Sequence, residues 1–498
     1  MKTKIKALSL ILAVFMLASA FVACDNGNGS TETDTKGGAE TTAIETVLET
    51  EAKPDVEEND YGSEFFLWIM PDSNNYSYHY VEESENDVLS EAIYARQQKI
   101  FEYLGVELVA TKATDFSAYT GPFKTAVKNK DGSVDTLLTH VYAGVPGLIS
   151  ENYLTDFESL PGVNVNADYW NQEFMDDLSI TGKYYLGFSD YNILYTHVIA
   201  FNKTMMEQYA DTLEKSVYDM VRNYEWTIDQ MISLANLVYI DTTADGKTPD
   251  DTYGITGRQW NEFPGFFHAS NINLVEQDAS GQYVVSVMNE VNAGKTTELV
   301  DKLHELSKAN CSYFDYKTTS VTTVPFTTGR TLMHLVSSNG LKNYLDYDIS
   351  FGVLPYPVWD TAQKDVGYRH LQWGGYITVP IYLSNPQMVG ETLEILAFYS
   401  EDVKTAYYEK MLGKQVADAP DDSEMLALVW DTVCTEFAQS YSTTLGGDAL
   451  LYLMANVTEA NTTTNIASAV AGLERSTNSS IKKFLQKIEK AQKANATK

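Results

Sequence analysis

The side chains that could do covalent or metal chemistry are few and widely spaced in this sequence. Three cysteines and seven histidines occur among 498 residues. They form no CxxC, HExxH or histidine-rich segment, so a zinc site has little support. The G-x-S-x-G pattern that presents a nucleophilic serine in many hydrolases does not occur either. Cys311 and Cys434 could form one disulfide or remain buried free thiols, and the sequence leaves both alternatives open.

A group of aspartates is the candidate for a metal site. Asp241 and Asp245 resemble the front of an EF-hand-like calcium loop, and Asp250 and Asp251 follow closely. The twelfth position of that loop holds Thr252 where calcium loops usually have a bidentate glutamate, so the site would be degenerate. An acidic, solvated turn is the alternative. We therefore expect that the chain requires no cofactor, with a structural calcium ion as the open alternative.

Cys24 is the candidate for covalent modification. Met1–Lys6 carries three lysines, Ala7–Val22 is apolar, and the small Ala23 precedes the cysteine. A basic segment followed by a short apolar run predicts a secretory signal peptide rather than a membrane-spanning helix, which needs about 20 apolar residues. Phe21–Cys24 resembles a bacterial lipobox, in which the cysteine thiol is acylated and becomes the first residue of the mature protein. The alternative is an ordinary signal peptide with a chance cysteine.

The segment after Cys24 is predicted to be a disordered linker. Asp25–Asp60 contains eleven acidic residues, two lysines and no aromatic residue, so it cannot bury enough apolar surface to offset its ordering entropy. The formal net charge of the chain is −33. This charge argues against nucleic-acid binding, because no basic stripe is present to neutralise phosphates. It also argues against adhesion to anionic lipid beyond the lipid anchor itself.

The body that follows alternates short apolar strands with amphipathic helices. Strands are predicted at Phe65–Met70, Val106–Val109, Val134–Thr139, Thr196–Phe201 and Phe351–Pro355. Helices are predicted at Val88–Leu104, Phe123–Asn129, Met205–Tyr209, after Thr227 as N-cap, and at Val300–Lys308, Val389–Leu412, Met425–Ala438 and Ile481–Ala491. The βαβαβ order at the start predicts a parallel sheet with helical crossovers, hence an α/β fold.

The order of several short motifs resembles the extracellular solute-binding proteins of ABC importers, family 1, the sugar-binding type. The stretches that carry the resemblance are Lys99–Val106, Phe201–Lys203 ("Y-N-K"), Glu225–Thr227 ("W-T"), Phe326–Met333 ("F-x-x-G-K-x-A-M"), Gly352–Pro357 ("G-V-x-P-x-P") and Gly375–Pro380. Together they cover nearly all of Tyr61–Lys498 in the family's order. The chain departs from a fixed family pattern at Thr139–Tyr142, where members vary freely, so the resemblance does not identify the ligand.

The resemblance implies a two-lobed, periplasmic-binding-protein-like fold of type II with a ligand cleft between the lobes. The expected domains are a signal peptide (1–23), the lipidated cysteine with its linker (24–60), lobe 1 (61–190 plus about 336–375) and lobe 2 (191–335 plus about 376–498). The chain is expected to cross between the lobes near Ser189–Tyr195, Leu335–Leu341 and Gly374–Val379. Ligand in such a protein binds between the lobes, and closure sequesters it.

Candidate ligand contacts lie at the ends of strands and in the predicted crossings. Aromatic rings there could stack on a sugar, and Gly374 beside Trp373 would let a pyranose approach. Polar side chains would supply hydrogen bonds, and the alternative for each single aromatic residue is packing inside a lobe. The candidates are His140, Tyr142, Asp190, Tyr191, Asn192, Trp260, Phe263, Ser338, Asn339, Trp373 and Gly374.

The implied function is capture of a small solute, expected to be an oligosaccharide, and its delivery to the permease subunits of an ABC importer. The protein would be a monomer, not an enzyme, anchored to the outer face of the cell membrane by the lipid on Cys24. Two alternatives stay open: a lipid-anchored carbohydrate-active enzyme, which would need a pair of carboxylates about 5–10 Å apart, or a binding protein for peptides or another non-sugar solute.

Overall fold

The computed structural model describes residues 53–69, 78–84, 87–112, 119–140, 144–192, 195–408, 419–459 and 464–496. The predicted signal peptide, Cys24 and most of the predicted linker lie outside these residues. From Pro54 onward the chain forms one compact unit. The end of the predicted linker belongs to this unit, because the backbone N–H of Asn59 donates to the Tyr103 carbonyl at 2.8 Å and Val56 packs against the core. The folded body therefore begins before Tyr61.

The strands and helices follow in the alternating order expected of an α/β fold. The strands are β1 Ser63–Ile69, β2 Val106–Lys112, β3 Thr136–His140, β4 His197–Asn202, β5 Tyr239–Ile240, β6 Thr252–Arg258, β7 Val275–Gln277, β8 Tyr283–Val285, β9 Ser312–Asp315, β10 Thr331–Ser337, β11 Phe351–Leu354, β12 His370–Leu371, β13 Gly375–Thr378 and β14 Val433–Cys434. The α-helices are α1 Val88–Leu104, α2 Thr120–Asn129, α3 Val145–Ser150, α4 Gln172–Asp177, α5 Lys203–Gln208, α6 Val217–Arg222, α7 Ile228–Ala235, α8 Gln259–Glu262, α9 Gly265–Ala269, α10 Ala293–Lys308, α11 Thr319–Thr327, α12 Pro386–Phe398, α13 Pro420–Asp431, α14 Phe437–Ser440, α15 Leu453–Thr458 and α16 Ile466–Ala496. Residues 401–408 are also helical.

The first sheet has the order β13-β3-β1-β2. Strands β1, β2 and β3 run parallel, as the βαβαβ pattern predicts, and β13 joins antiparallel to β3. Helix α1 has the predicted bounds because both ends are capped: the Asp87 carboxylate accepts from Leu89 N and Ser90 N, and Gly105 adopts the left-handed conformation. The buried face of α1 packs toward α12 and the sheet.

The second sheet has the order β11-β4-β10-β6-β5, with β9 paired to β6. Strands β6, β9 and β10 are parallel, while β4 is antiparallel to both β10 and β11. The carboxyl ends of β6, β9, β10 and β11 therefore meet the amino end of β4 at one edge. Ligands of open α/β sheets commonly bind at such an edge.

The sheets correct two of the three predicted crossings and the lobe boundaries. The chain passes from the first sheet to the second before β4, as predicted near Ser189–Tyr195. Leu335–Leu341 is not a crossing, because β10 and the following β11 both pair with β4. Residues 351–354, assigned to lobe 1, thus lie in the second sheet. Gly375–Thr378 pairs with β3 in the first sheet, so the return crossing ends before Gly375 and includes only Gly374 of the predicted Gly374–Val379.

The C-terminal part also differs from the prediction. Helix α13 ends at Asp431, and β14 pairs with β12 before α14 begins, so Met425–Ala438 is not one helix. The threonines at 432 and 435 and Val433 are β-branched, which favours the extended conformation there. Cys311 and Cys434 are free thiols. Among the described residues, no helix is long and apolar enough to cross a membrane.

Candidate functional site

The crossing segments are joined to the second sheet by backbone hydrogen bonds. Ser338 N donates to the Thr196 carbonyl at 2.7 Å, and Trp373 N donates to the Tyr195 carbonyl at 2.7 Å. The Thr196 hydroxyl donates to the Leu371 carbonyl at 2.6 Å. These contacts bring both crossings to the carboxyl edge of the second sheet. We call the segments Tyr195–His197, Ser338 and Leu371–Gly375 the junction.

The first sheet reaches the junction through His140, the last residue of β3. Its Nε2 lies 3.0 Å from the Tyr195 hydroxyl. His140 is buried, and it pairs with Gly375 across the sheet. The predicted contact His140 therefore does lie where the two sheets approach each other. Tyr142, predicted beside it, lies outside the described residues.

Trp373 lies in the junction but is only 2% exposed. Its ring makes an edge-to-face contact with His197, with ring centroids 5.4 Å apart. Neither face of the indole is open to solvent, so the predicted stacking on a sugar would require the junction to open. Gly374 is buried beside it.

Ser338 and Asn192 hold backbone in place. The Ser338 hydroxyl accepts from Thr196 N at 3.3 Å, and the Asn192 amide donates to the Gly375 carbonyl at 2.9 Å. Asn339, next to Ser338, is half-buried. The Ser338 and Asn192 side chains therefore hold the adjoining crossing segments in place.

Two of the remaining candidates, Tyr191 and Phe263, lie in the core. Tyr191 is fully buried, with the Arg96 guanidinium 4.6 Å from its ring centroid. Phe263 is fully buried against Phe266 and Phe314. Both are packing residues in this structure, and their burial does not support the predicted ligand contact.

Trp260 lies at the edge formed by the carboxyl ends of β6 and β9. It is half-buried, and its ring stacks on Tyr452 with centroids 3.9 Å apart and planes 18° apart. Tyr316, just after β9, meets it edge to face at 5.4 Å. The Lys317 ammonium lies 4.7 Å from the Trp260 centroid, so it covers the indole face away from Tyr452. We call Trp260, Tyr316 and Tyr452 the aromatic platform.

Three buried polar groups next to the platform were not found by sequence reasoning. His197 Nδ1, Arg258 Nε and Glu262 Oε2 have no hydrogen-bond partner among the described residues. The Arg258 and Glu262 atoms are 3.6 Å apart, which is an ion pair but too long for a hydrogen bond. Each unmet buried group costs about 1–3 kcal/mol. We call these side chains the polar trio.

Burial shifts the titration of two members of the polar trio. It raises the pKa of Glu262 to about 7, and the nearby Arg258 guanidinium opposes this rise. It lowers the pKa of His197 to about 3, and Arg258 adds to that effect. At neutral pH His197 is therefore neutral, while Glu262 is poised between its protonated and ionised forms. The trio offers a cation, a carboxyl group and a neutral imidazole within one buried region.

Asp190 and Asn192 line a separate cavity of about 280 Å³. Lys404 also lines the cavity, and its ammonium lies 3.2 Å from the Asp190 carboxylate. Trp260, Ser338 and Trp373 do not line it. Of the described predicted contacts outside the core, Asp190 and Asn192 line this cavity, and the others lie at the junction and its edge. Asn192 adjoins both places, because it also bonds Gly375.

The aspartates of the predicted calcium loop do not converge. The Asp251 carboxylate accepts from Thr242 N at 2.7 Å and from Thr248 N at 2.9 Å. Asp250 faces Arg330 at 3.7 Å, and Asp241 accepts from Ala244 N at 2.6 Å. Asp245 bonds the Thr243 hydroxyl. Within the described residues, no group of three or more His, Cys, Asp or Glu side chains could hold a metal ion. The carboxylates stabilise the turn itself.

Comparison with known proteins places these features in a family context. The model of the bacterial extracellular solute-binding protein family matches residues 97–414. No curated protein sequence matches the chain.

Two solved structures are similar over most of the chain. One is the GacH receptor of Streptomyces glaucescens GLA.O, described unliganded and with acarbose and an acarbose homolog. It shares 14% identity, covers 85% of this chain and 98% of its own, and has a TM-score of 0.53. The other is the ABC substrate-binding protein Lmo0181 from Listeria monocytogenes in complex with cycloalternan. It has 12% identity, coverage of 86% and 99%, and a TM-score of 0.50. The likeness confirms the predicted two-lobed α/β fold class.

Proposed function

Because this chain belongs to the bacterial extracellular solute-binding protein family, we propose that it captures an oligosaccharide outside the cytoplasm and delivers it to the permease subunits of an ABC importer. The observation that carries the sugar assignment is the aromatic platform at the carboxyl edge of the second sheet. The two similar structures, which hold acarbose and cycloalternan, support the same ligand class.

The platform suits a sugar ring for a physical reason. A tryptophan presents a large apolar face and loses little rotamer freedom when it stacks, so contact with the C–H face of a pyranose is favourable. Tyr452 fixes the Trp260 ring from behind. The Lys317 ammonium on the other face belongs to an exposed side chain. An exposed cation–π contact contributes only about 0.5–1 kcal/mol, so a sugar can displace it.

The polar trio gives the second half of sugar recognition. A hydroxyl group both donates and accepts hydrogen bonds, so one diol can accept from Arg258 and donate to Glu262. Groups that are unpaired without ligand gain the most from such bonds. The unpaired atoms of the trio are buried, although the Arg258 side chain is a quarter exposed, so the sugar would reach these atoms when the junction opens. A sugar that also contacts His140 of the first sheet would hold the two sheets together without any covalent step, and the ligand is released unchanged to the importer.

The lipid anchor is part of the same proposal. The lipobox-like Phe21–Cys24 places an acylatable thiol ahead of the acidic linker, and the two acyl chains of a diacylglyceryl thioether hold a protein at a membrane surface. Labelling cells with a fatty-acid analogue should tag the wild-type chain, while the Cys24→Ala variant should be unlabelled and released from membranes. An unlabelled, soluble wild-type protein would exclude lipidation.

Calorimetric titration of the Cys24→Ala chain tests the ligand class. We expect a linear or cyclic glucan oligosaccharide to bind with a stoichiometry of one and to be recovered unchanged after long incubation. Cleavage of the sugar would favour the carbohydrate-active enzyme instead. Binding of peptides with no response to any oligosaccharide would overturn the sugar assignment but not the family.

A further inference from the structure

We propose that the cavity beside Asp190 and Lys404 is a second ligand site, which takes a single neutral sugar ring or a polyol of that size. Its volume is about 280 Å³, near the lower end of the range typical of small-molecule pockets. It is separate from the aromatic platform, since Trp260, Tyr316 and Tyr452 do not line it. The proposal goes beyond the transport function and does not depend on the identity of the transported solute.

The walls of the cavity carry aromatic surface suited to a sugar ring. Tyr408 and Trp430 lie side by side, with ring centroids 4.9 Å apart and planes 37° apart. Tyr169 contributes a further ring, and all three side chains are half-buried rather than closed into the core. Half-buried rings around a cavity leave apolar surface that a ligand can cover. The cavity therefore offers apolar surface on which a sugar ring can stack.

The polar groups of the cavity include both donors and acceptors. Asp168 and Asp190 supply carboxylates, and Lys404 supplies an ammonium group. Hydroxyl groups satisfy donors and acceptors alike.

The charges disfavour an ionic ligand of either sign. Lys404 already pairs with Asp190 at 3.2 Å, with both side chains about a third or more exposed, so a cation would compete with that ammonium. An anion would meet Asp168 and Asp190 together. The class that meets no such penalty is a neutral polyhydroxyl compound.

The position of the cavity couples it to the two sheets. Asp168–Asn192 packs beside the first sheet, because Trp170 pairs with Ser189 and Gly187 pairs with Ile377 of β13. Trp430 belongs to α13, which packs on β11 of the second sheet, and its ring joins the core cluster around Phe351. A ligand that contacts both walls binds best at one relative position of the sheets. Such a ligand would bias closure over the main site.

Fluorine NMR of the Cys24→Ala chain labelled with 5-fluorotryptophan tests the proposal. The sequence has seven tryptophans, and the Trp430→Phe variant identifies the Trp430 signal by its loss. We expect glucose at millimolar concentration to shift the Trp430 signal in a saturable way. Asp168→Asn should weaken this response about tenfold, because a hydrogen bond to a charged group is lost. The matched control Asp211→Asn, an exposed aspartate that does not line the cavity, should leave it unchanged.

The outcomes separate this proposal from the proposed function. A Trp430 signal that stays fixed for glucose and inositol, while an oligosaccharide shifts the Trp260 signal, would overturn the second site and leave the transport function standing. A response to choline but not to glucose would overturn the neutral-ligand class. A saturable glucose response that Asp168→Asn weakens and Asp211→Asn does not would support the proposal even if no transported oligosaccharide were found.

Discussion

Trp260 and Trp359 form a matched pair of half-buried tryptophans, each beneath a lysine ammonium. Lys317 lies 4.7 Å from the Trp260 centroid and Lys302 lies 4.9 Å from the Trp359 centroid. Trp260 stands at the carboxyl edge of parallel strands, whereas Trp359 follows β11 beyond Pro355. Aromatic stacking in nucleic-acid proteins contributes about 1–3 kcal/mol, which we take as a scale for a sugar ring. We therefore predict that Trp260→Ala weakens oligosaccharide binding about ten- to a hundredfold in calorimetry.

Trp359→Ala is the control for that prediction. It removes the same side chain and a similar cation–π contact, so a general effect of losing a surface tryptophan would appear in both variants. Unchanged affinity in Trp260→Ala, or equal losses in the two variants, would contradict the assignment of the platform to the ligand site.

The Trp373→Ala variant distinguishes a role of Trp373 in ligand binding from a role in packing. Its 2% exposure and its contact with His197 predict that Trp373→Ala lowers the free energy of unfolding by about 3–5 kcal/mol, as for a large buried aromatic residue. Chemical denaturation measures this loss. A variant of nearly wild-type stability with greatly weakened sugar affinity would instead restore the stacking role that the sequence suggested.

The raised pKa of Glu262 predicts that the stability of the protein depends on pH. Its pKa is raised from 4.5 to about 7 in the folded protein, so its contribution favours folding below pH 4.5 and is lost as the pH rises through 7. The loss amounts to about 3 kcal/mol, at 1.36 kcal/mol for each unit of pKa. We predict that the free energy of unfolding of Glu262→Gln falls less than that of the wild type between pH 4.5 and 8. Glu214→Gln, at an exposed position, should follow the wild type, and a parallel course for Glu262→Gln would contradict the shift.

At the scale of elements, β13 depends on a glycine at its first residue. A Cβ atom at Gly375 would lie 2.2 Å from the Thr139 carbonyl oxygen of β3, so the strands would have to separate. We predict that Gly375→Ala costs at least about 1–3 kcal/mol of stability, the range for overpacking. Gly121 is the control, because a Cβ there meets no atom within 4 Å and alanine favours the helix. Thermal unfolding should show a lower midpoint for Gly375→Ala only.

The elements that could be predicted from sequence are those with local signals. Asp87 and Gly105 mark both ends of α1, and Thr227 caps α7 by accepting from Gln230 N, so short-range chemistry fixes these helices. The crossings were harder to predict. Whether β10 and β11 lie in one sheet depends on their shared partner β4, more than 130 residues earlier in the chain, and no local pattern encodes that pairing.

The residues of the candidate site also divide into those that local sequence predicts and those that it does not. Trp260 could be found because it is an aromatic residue in a segment flanked by Gly257 and Gly265, and its half-burial agrees with a place at the edge. The polar trio could not be found, because His197 lies on β4 while Arg258 and Glu262 lie about sixty residues later around α8. Glutamate and arginine four residues apart also predict an ordinary surface ion pair. Their burial is a property of the sheet, which only the fold reveals.

At the scale of the whole molecule, the two sheets meet at the junction through a few short crossings. His140 of the first sheet touches Tyr195, and the platform and polar trio belong to the second sheet. A ligand that contacts both His140 and the platform binds the closed arrangement better than the open one, so it shifts the population toward closure.

We therefore predict that a saturating oligosaccharide lowers the radius of gyration of the Cys24→Ala chain in X-ray scattering. The Trp260→Ala variant at the same sugar concentration should compact less than the wild type, because its weaker affinity leaves it only partly saturated. The same variant at a concentration that restores saturation should compact like the wild type, since Trp260 supplies affinity and not the hinge. A radius that does not change on saturation of the wild type would show that binding and closure are uncoupled in this chain.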